Sequence, residues 1–244
     1  MNNATGKRLL ALVRNGDYAH PGEEEAIRLL LAGVAPDPTR RILDAGCGGG
    51  GTAAWVQAHG YGTVTGIEID AETSRLARAR HPEIEVVTGD MQRATHVVDG
   101  PYDLIYTMTS LYAVADQRAA LARLAALAAP GAELRLLEYA DPSGGFAAAV
   151  VGNPRLAWWQ PVASAGVRDL LAGSGWSPVE SRDISERFAQ WYDDLLQRID
   201  AQAEAITRQF GREWYEFAAR EYAVILALVR ADDLGGIFVR ATAP

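Results

Sequence analysis

A group of glycines and acids near residue 45 is the first place where this sequence could do chemistry. The stretch ILDAGCGGGGTAAWV, residues 42–56, is an apolar run that ends in Asp44 and continues into five glycines within six residues. Ordering a glycine costs more backbone entropy than ordering any other residue. A loop so rich in glycine therefore predicts a place where a ligand approaches the backbone closely.

The glycine pattern has two interpretations. Gly46, Gly48 and Gly51 satisfy the G-x-G-x-x-G spacing that is typical of dinucleotide-binding loops. Asp44 argues against a dinucleotide, because a carboxylate here would repel a pyrophosphate where a helix N-terminus should attract it. The acid favours a ligand that carries positive charge and no phosphate. S-adenosylmethionine, with an ammonium and a sulfonium group, is such a ligand.

Further acids follow at the spacing that an adenosine group requires. Glu68 in VTGIEID lies 22 residues after Gly46, where it could accept both ribose hydroxyls. Asp70 points to the same side of the strand and could serve as well. It precedes AETSRLARA and is a good helix N-cap, so we favour Glu68. In VTGDMQ, Asp90 could accept from the adenine amino group and Met91 could cover one face of the base.

These residues need a scaffold that brings strand ends together, and the sequence predicts one. Short, mostly apolar segments alternate with helical segments, which indicates a parallel sheet covered on both faces. The predicted strands are 41–45, 62–69, 84–88, 102–107 and 132–139, and the predicted helices are 23–33, 51–59, 71–80 and 115–129.

The final third of the chain has a different pattern. We predict a helix at 165–173, a strand at 176–184, helices at 185–209 and 212–231, and a last strand at 235–242. Apolar residues recur every three or four positions along both long helices, which is typical of one buried stripe. A helical pair inserted between two strands is where a lid over a binding cleft would lie.

The composition describes an ordinary globular protein. Of 244 residues, 49% are hydrophobic and 22% are charged, and the formal net charge of −8 disfavours a nucleic-acid partner. The sequence has no run of about 18 apolar residues, so it does not predict a membrane span. The first residues do not resemble a secretory signal, so we expect a cytoplasmic protein. Cys47 is the single cysteine, and no run of histidines and acids predicts a metal site.

Taken in order, the motifs ILDAGCGGGGTA, VTGIEID, VTGDMQ, YDLIYTMTSLYAV and APGAELRLLEY resemble those of the class I S-adenosylmethionine-dependent methyltransferases. The resemblance covers residues 40–140 well and 176–242 in outline. It implies a Rossmann-like α/β fold with a seven-stranded sheet of order 3-2-1-4-5-7-6, whose last strand is antiparallel. We expect one domain over 1–244, with an N-terminal helical cap (1–35), a cofactor half (36–140) and a substrate half (141–244) whose helical lid spans about 185–231.

The resemblance also implies where the cofactor binds. The expected contacts come from the glycine loop and the strand ends: Asp44, Gly46, Cys47, Gly48, Glu68, Ile69, Asp90, Met91 and Thr107. Small-molecule members of the family carry an aromatic and a polar residue in a segment that folds over the cofactor, and Tyr18 and His20 occupy comparable places. An aromatic face attracts a sulfonium, so we expect Tyr18 to contact the cofactor and His20 to take part in catalysis.

The acceptor is predicted to be a small organic molecule. Aromatic side chains that could line an apolar pocket follow the fourth and fifth strands and lie in the first long helix. The expected substrate contacts are Met108, Tyr112, Tyr139, Trp191 and Tyr192, with Tyr112 and Tyr139 also candidates for catalysis. The sequence YTMT stands where many nucleic-acid and protein amide methyltransferases have an NPPY-type signature, which disfavours those substrates. The oligomeric state has no specific signal, and a homodimer is the default expectation.

Three alternatives to methyl transfer stay open. An enzyme of the same fold could use the cofactor for a cyclisation, a nicotinamide-dependent dehydrogenase would fit G-x-G-x-x-G alone, and a binding domain would hold the cofactor without turnover. Methyl transfer to O, N or C needs mainly a nucleophile held in line with a positive sulfur in a dry site. A base is needed only when the nucleophile must lose a proton, so the lack of an obvious base decides nothing.

Overall fold

The structure is a computed structural model that describes residues 4–14 and 16–244. Its strands are β1 (Arg41–Ala45), β2 (Thr63–Glu68), β3 (Glu85–Thr88), β4 (Tyr102–Met108), β5 (Ala128–Asp141), β6 (Val162–Ala163), β7 (Ser177–Asp183) and β8 (Gly235–Thr242). They form a sheet of order β3-β2-β1-β4-β5-β8-β7 in which β8 runs antiparallel to both neighbours. The predicted order and the antiparallel strand are confirmed, and the two-residue β6 is an addition that pairs with β5 outside that path.

Helices cover both faces of the sheet. They are α1 (Ala4–Arg14), α2 (Glu23–Leu30), α3 (Gly51–Ala58), α4 (Ala71–Arg80), α5 (Gln117–Ala125), α6 (Phe146–Ala149), α7 (Val167–Ala172), α8 (Ser185–Ala201), α9 (Ala203–Phe210) and α10 (Arg212–Arg230). The predicted helix 115–129 is too long. Asp116 caps α5 by accepting from the Ala119 N–H at 2.9 Å, and β5 already begins at Ala128.

Side chains of the strands alternate between two hydrophobic cores, one on each face of the sheet. In β1, Ile42 belongs to the core that includes α1–α3 and α8–α10, whereas Leu43 belongs to the core that includes α5 and α7. Leu137 and Leu136 in β5 divide in the same way. Burying each of these side chains contributes about 1.5–3 kcal/mol. The sheet is thereby fixed with the carboxyl ends of β1 to β5 at one edge, where the site residues lie.

The predicted helix 185–209 is wrong as a single element, because the chain forms two helices there. Gln202, with φ −105° and ψ 14°, leaves the helical conformation and separates α8 from α9. The apolar stripe nevertheless continues across the interruption, from Ile199 to Ile206, and both side chains are fully buried. Both helices therefore remain on the core, which is why residue spacing alone did not reveal the break.

Candidate active site

A cavity of about 420 Å³ opens at the carboxyl ends of the parallel strands. This is the edge of an open α/β sheet where ligands bind, and the volume is typical of small-molecule sites. Residues of α1 and α10 complete its wall. Of the residues predicted to contact cofactor or substrate, the following lie on this wall: Gly46, Gly48, Glu68, Ile69, Asp90, Met91, Met108, Tyr112, Tyr139 and Tyr192.

The glycine loop between β1 and α3 is crowded by two other segments. Gly46 has a φ of +99°, and a β-carbon there would lie 2.5 Å from Cβ of Ser110. A β-carbon at Gly51 would lie 2.8 Å from the backbone oxygen of Asp17. Glycine is thus required at Gly46 by both backbone conformation and contact, and at Gly51 by contact alone. The glycines admit neighbouring protein segments, and Gly46 also borders the cavity in which a ligand is predicted.

Glu68, at the end of β2, is held in place by two backbone donors. Its Oε2 accepts from the Gly48 N–H at 3.0 Å, and its Oε1 accepts from the Asp70 N–H at 2.9 Å. Lys7 Nζ lies 3.7 Å from the same Oε2. Each carboxylate oxygen has a second lone pair, so Glu68 can still accept from two neighbouring hydroxyls. This arrangement fits the ribose of an adenosine cofactor.

The wall between β2 and β3 has the composition expected for an adenine site. Asp90 lies on the wall, and its Oδ1 accepts from the Gln92 N–H at 2.9 Å. Met91 lies beside it, and Ile69 presents a side chain that is 69% exposed. Asp70 also borders the cavity, but its carboxylate caps α4, accepting from the Thr73 N–H at 2.7 Å, which is the N-cap role that the sequence predicted.

The structure places Asp44 behind the cavity wall rather than on it. The side chain is 2% exposed, and its Oδ2 accepts the hydroxyl hydrogen of Tyr106 at 3.0 Å. Burial raises the pKa of Asp44 to about 7, and the negative charge of Glu68 adds to the rise. The direct contact with the cofactor stays a prediction; from behind the wall, ionised Asp44 could also act on a ligand electrostatically, because such effects extend beyond contact distance where the dielectric constant is low.

Cys47 and Thr107 are also buried behind the wall, and their predicted cofactor contacts stay predictions. A β-carbon at Gly66 would lie 2.6 Å from Cys47 Sγ, so the thiol fills the space that this glycine leaves. Burial raises the pKa of the Cys47 thiol well above its ordinary value, which keeps it protonated and unreactive. Thr107 is fully buried in β4.

The segment between α1 and α2 packs on the glycine loop, but the predicted side chains point elsewhere. Ala19 lies on the cavity wall, whereas Tyr18 faces a second cavity of about 430 Å³. His20 donates from Nδ1 to the Pro21 carbonyl at 3.1 Å, so its Nε2 accepts from the Thr52 hydroxyl at 2.8 Å. Burial lowers the pKa of His20 to about 3. His20 is thus neutral and bonded within the protein, and Tyr18 does not border the main cavity; the catalytic role of His20 and the cofactor contact of Tyr18 stay predictions.

Aromatic rings line the other end of the main cavity. The ring of Tyr112 meets Tyr139 edge-on at a centroid distance of 5.0 Å and lies 4.3 Å from the ring of Trp159. The hydroxyls of Tyr139 and Tyr192 are hydrogen-bonded to each other. Burial raises the pKa of both tyrosines, so both are neutral at physiological pH. With Met108, these rings form an apolar wall with phenolic hydrogen-bonding groups.

Trp191 is not part of this wall, and its assignment as a substrate contact stays a prediction. A β-carbon at Gly22 would lie 2.5 Å from its indole ring, and its Nε1–H donates to Glu25 at 3.1 Å. Trp191 therefore fastens α8 to the start of α2. Consecutive residues of an α-helix point in directions about 100° apart, so Trp191 and Tyr192 face different neighbours.

Glu138 sets the shape of the loop that follows β4. Its fully buried carboxylate accepts from the backbone N–H groups of Ser110 at 3.1 Å and Leu111 at 3.2 Å. Burial raises the pKa of Glu138 to about 7. Thr109, in the same loop, has a φ of +48°, a conformation that needs such support. Glu138 thus positions the loop that carries Tyr112.

Sequence analysis missed the helical residues that complete the wall. Lys7, Leu10 and Arg14 come from α1, and Glu221 and Tyr222 come from α10. The spacing of 7, 10 and 14 is that of one helix face, which is a signal that the sequence offered. Nothing in that spacing says which surface the helix covers, so only the tertiary structure assigns these side chains to the cavity.

Residues 4–14 and 16–244 contain neither a metal cluster nor a membrane-spanning helix. In that part of the chain, no three His, Cys, Asp or Glu side chains converge closely enough to hold a metal ion. Nor does any helix there have both the length and the apolar character needed to cross a membrane.

Comparison with known proteins gives a consistent family. A family profile described as "Methyltransferase domain" matches residues 18–198. An uncharacterized methyltransferase from Mycobacterium tuberculosis is 33% identical over 116 residues, which are 47% of this chain and 58% of that protein. An S-adenosyl-L-methionine-dependent Diels-Alderase from Talaromyces variabilis is 29% identical over 177 residues, which cover 64% of this chain and 60% of the relative. The chain thus spans less than two thirds of the length of these relatives.

Among solved structures, a phosphoethanolamine N-methyltransferase from Haemonchus contortus, crystallised with S-adenosyl-L-methionine, superposes with a TM-score of 0.90. The match covers 99% of this chain and 57% of that chain, at 16% sequence identity. At 16% identity, this similarity shows the fold alone.

Proposed function

The chain belongs to the methyltransferase domain family, and on that premise we propose that it transfers the methyl group of S-adenosylmethionine to an O, N or C nucleophile of a small organic acceptor. The arrangement around Glu68 carries the proposal. Its carboxylate is oriented by two backbone N–H groups on the wall of a cavity whose other end is aromatic. A ribose on Glu68 would direct the rest of the cofactor along the glycine loop toward those rings.

When bound, S-adenosylmethionine supplies a methyl group on a positively charged sulfur, open to in-line attack by a nucleophile. The work left to this chain is to hold the acceptor at the attack angle and to exclude water. Rings from β5, α8 and the loop after β4 serve both purposes, because they are large, rigid and packed on one another. Because the pKa of Asp44 is raised to about 7, the group is only partly ionised near neutral pH, and a cationic ligand nearby would favour its charged form.

Tyr112 and Tyr139 retain the catalytic role proposed from the sequence. Since burial raises the pKa of Tyr139, its hydroxyl stays protonated and orients the acceptor through a hydrogen bond rather than removing a proton. Tyr112 lies edge-on to Tyr139 on the same wall, where it limits the positions that a flat acceptor can take. His20 would not act in this way, because both its ring nitrogens are bonded within the protein.

The proposed partner is a small molecule rather than a macromolecule. A net charge of −8 opposes association with nucleic acid, which needs a basic surface. Nothing about the cavity requires a second chain, and a homodimer stays a prediction, as does a cytoplasmic location.

The test is product identification. The purified protein is incubated with methyl-labelled S-adenosylmethionine and fractionated cell extract, and the labelled material is sorted by size and mass. We expect label in small molecules that have gained one methyl group, with one S-adenosylhomocysteine released per product. Label in protein or RNA would overturn the small-molecule assignment. The control omits the extract and measures background hydrolysis.

A cyclisation is the second candidate, because one relative is named as an S-adenosylmethionine-dependent Diels-Alderase. The same experiment distinguishes the two. A cyclase would consume a small molecule and return a product of equal mass, with no S-adenosylhomocysteine formed.

A further inference from the structure

Arg14 is a charged residue buried in the wall of the main cavity. It ends α1, and its side chain is 1% exposed. It borders both the main cavity and the second cavity beside α2. Burying a guanidinium costs several kcal/mol unless a partner of opposite charge and good hydrogen bonds offset the loss of water.

The structure supplies only part of that compensation. Glu23 Oε1 lies 3.6 Å from Arg14 Nε, too far for a hydrogen bond. The same oxygen accepts from Arg198 Nη2 at 3.0 Å, so two arginines share one carboxylate. Within residues 4–14 and 16–244, Nε and Nη1 of Arg14 have no hydrogen-bond partner. Glu23 therefore offsets the charge of Arg14 only in part.

The side chains around Arg14 suit an anion. Tyr192 and Tyr222 border the main cavity, and both are close enough for the positive charge of Arg14 to affect them. Burial raises the pKa of Tyr222 to about 12, against the opposing charge of Arg14, so its hydroxyl remains a neutral donor. A guanidinium beside phenolic hydroxyls is a donor set that carboxylates and phosphates bind.

We propose that Arg14, assisted by the hydroxyl of Tyr222, binds an anionic group of the acceptor, a carboxylate or a phosphate. The inference rests on the proposed function, because it gives the acceptor of that reaction a charge. The groups around Arg14 belong to α2, α8 and α10, whereas the predicted cofactor residues on the wall of the main cavity lie at the ends of β1, β2 and β3: Gly46, Gly48, Glu68, Ile69, Asp90 and Met91. The anion is therefore assigned to the acceptor and not to the carboxylate of the cofactor.

The other charged side chains at this end of the cavity do not compete for that role. Arg155 is exposed and lies over the ring of Phe217, 4.2 Å from its centroid. Glu221 is half-buried and carries the wrong sign for binding an anion. The fully buried cation is the one whose energy changes most when an anion arrives, because its surroundings have the lowest dielectric constant.

Calorimetric titration of the protein saturated with S-adenosylhomocysteine tests the proposal. The probes are benzoate and phenyl phosphate, with benzamide as the neutral isostere of benzoate. We expect at least one anion to bind about tenfold or more tighter than benzamide, and Arg14→Met to abolish that difference. Tyr222→Phe should weaken the anion by about three- to tenfold. The benzoate and phenyl phosphate arms tell a carboxylate site from a phosphate site.

Arg187→Met is the matched control. It removes a guanidinium of α8 that pairs with Glu25, so Glu23 keeps both of its arginines and anion binding should stay within about twofold of the wild type. Met at position 14 keeps an apolar stem of similar length, and removing a buried charge that lacks a good partner is not expected to unfold the protein.

Two results would overturn the inference directly: anions that bind no tighter than benzamide, or an Arg14→Met variant that binds the anions like the wild type. A third would also overturn it: an Arg14→Met variant that no longer binds S-adenosylhomocysteine but still binds the anions. Failure of the wild type to bind S-adenosylhomocysteine would count against the proposed function instead. Titration of the ligand-free protein with the same probes would then still test Arg14.

Discussion

Tyr106 donates its hydroxyl hydrogen to Oδ2 of Asp44 at 3.0 Å, which ties the acid at the end of β1 to the neighbouring strand β4. The carboxylate that distinguishes this glycine loop from a dinucleotide loop is thus a buried, hydrogen-bonded group. Its effect on a ligand is through charge, and its cost to the fold depends on pH.

Asp44→Asn should gain stability relative to the wild type as the pH rises. Burial raises the pKa of Asp44 from 3.8 to about 7. Because the folded-state pKa is the higher one, the contribution of Asp44 to stability is fully present below about pH 3.8. That contribution is lost as the pH rises through 7. Asparagine carries no such charge. Urea unfolding at pH 5 and pH 7 should show the variant improving by about 1–3 kcal/mol relative to the wild type. A constant difference between the two proteins would contradict the buried-carboxylate account.

Glu68→Gln and Asp70→Ala should have opposite profiles. Losing the charge of Glu68 should weaken S-adenosylhomocysteine binding by about 10- to 100-fold with little change in Tm, because charge-assisted hydrogen bonds to the ribose are lost. Losing the cap of α4 should cost about 1 kcal/mol of stability with little change in affinity. Calorimetric titration and thermal unfolding of both variants check this. If Asp70→Ala had the larger effect on affinity, the ribose would have been assigned to the wrong acid.

His20→Ala should behave as a structural substitution. Removing the bond between His20 and Thr52 should cost about 1–3 kcal/mol of unfolding free energy and leave S-adenosylhomocysteine affinity within about threefold. Thr52→Val breaks the same bond from the other side. The double variant should therefore lose less than the sum of the two, a coupling that urea unfolding measures. A cofactor affinity that collapses while stability is unchanged would restore His20 to the site.

Gly46→Ala should be more damaging than Gly33→Ala, although both glycines have positive φ. Gly33 has φ +80°, and no atom lies within 4 Å of the position that a β-carbon would take there, so alanine carries only the backbone strain, about 1–2 kcal/mol. At Gly46 the same strain is joined by contact with Ser110 at 2.5 Å. The difference between the two losses in unfolding free energy isolates the crowding. Equal losses would mean that conformation alone requires glycine in the loop.

The parts of the fold that local patterns determine were predictable. The strands from β1 to β5 alternate or are uniformly apolar, and the antiparallel β8 followed from a family resemblance carried by several separate motifs. The interruption at Gln202 was not predictable, because Ile199 and Ile206 keep the same helical stripe on either side of it.

A position on the cavity wall was predictable where one strand end sufficed to place a residue, as for Glu68 and Asp90. The role of a residue was not predictable where a partner far along the chain decides it. His20 has a residue type suited to catalysis, and only its bond to Thr52, 32 residues away, indicates a structural role. Trp191 and Tyr192 are adjacent in sequence, yet the rotation of α8 sends one to Glu25 and the other to Tyr139.

The choice of cofactor is the claim on which the rest depends, and direct binding tests it. The purified protein is titrated separately with S-adenosylhomocysteine and with NAD⁺ under identical conditions. The account predicts saturable binding of S-adenosylhomocysteine in the micromolar range, at one site per chain, and no saturable binding of NAD⁺. Saturable binding of NAD⁺ by a protein that does not bind S-adenosylhomocysteine would contradict it.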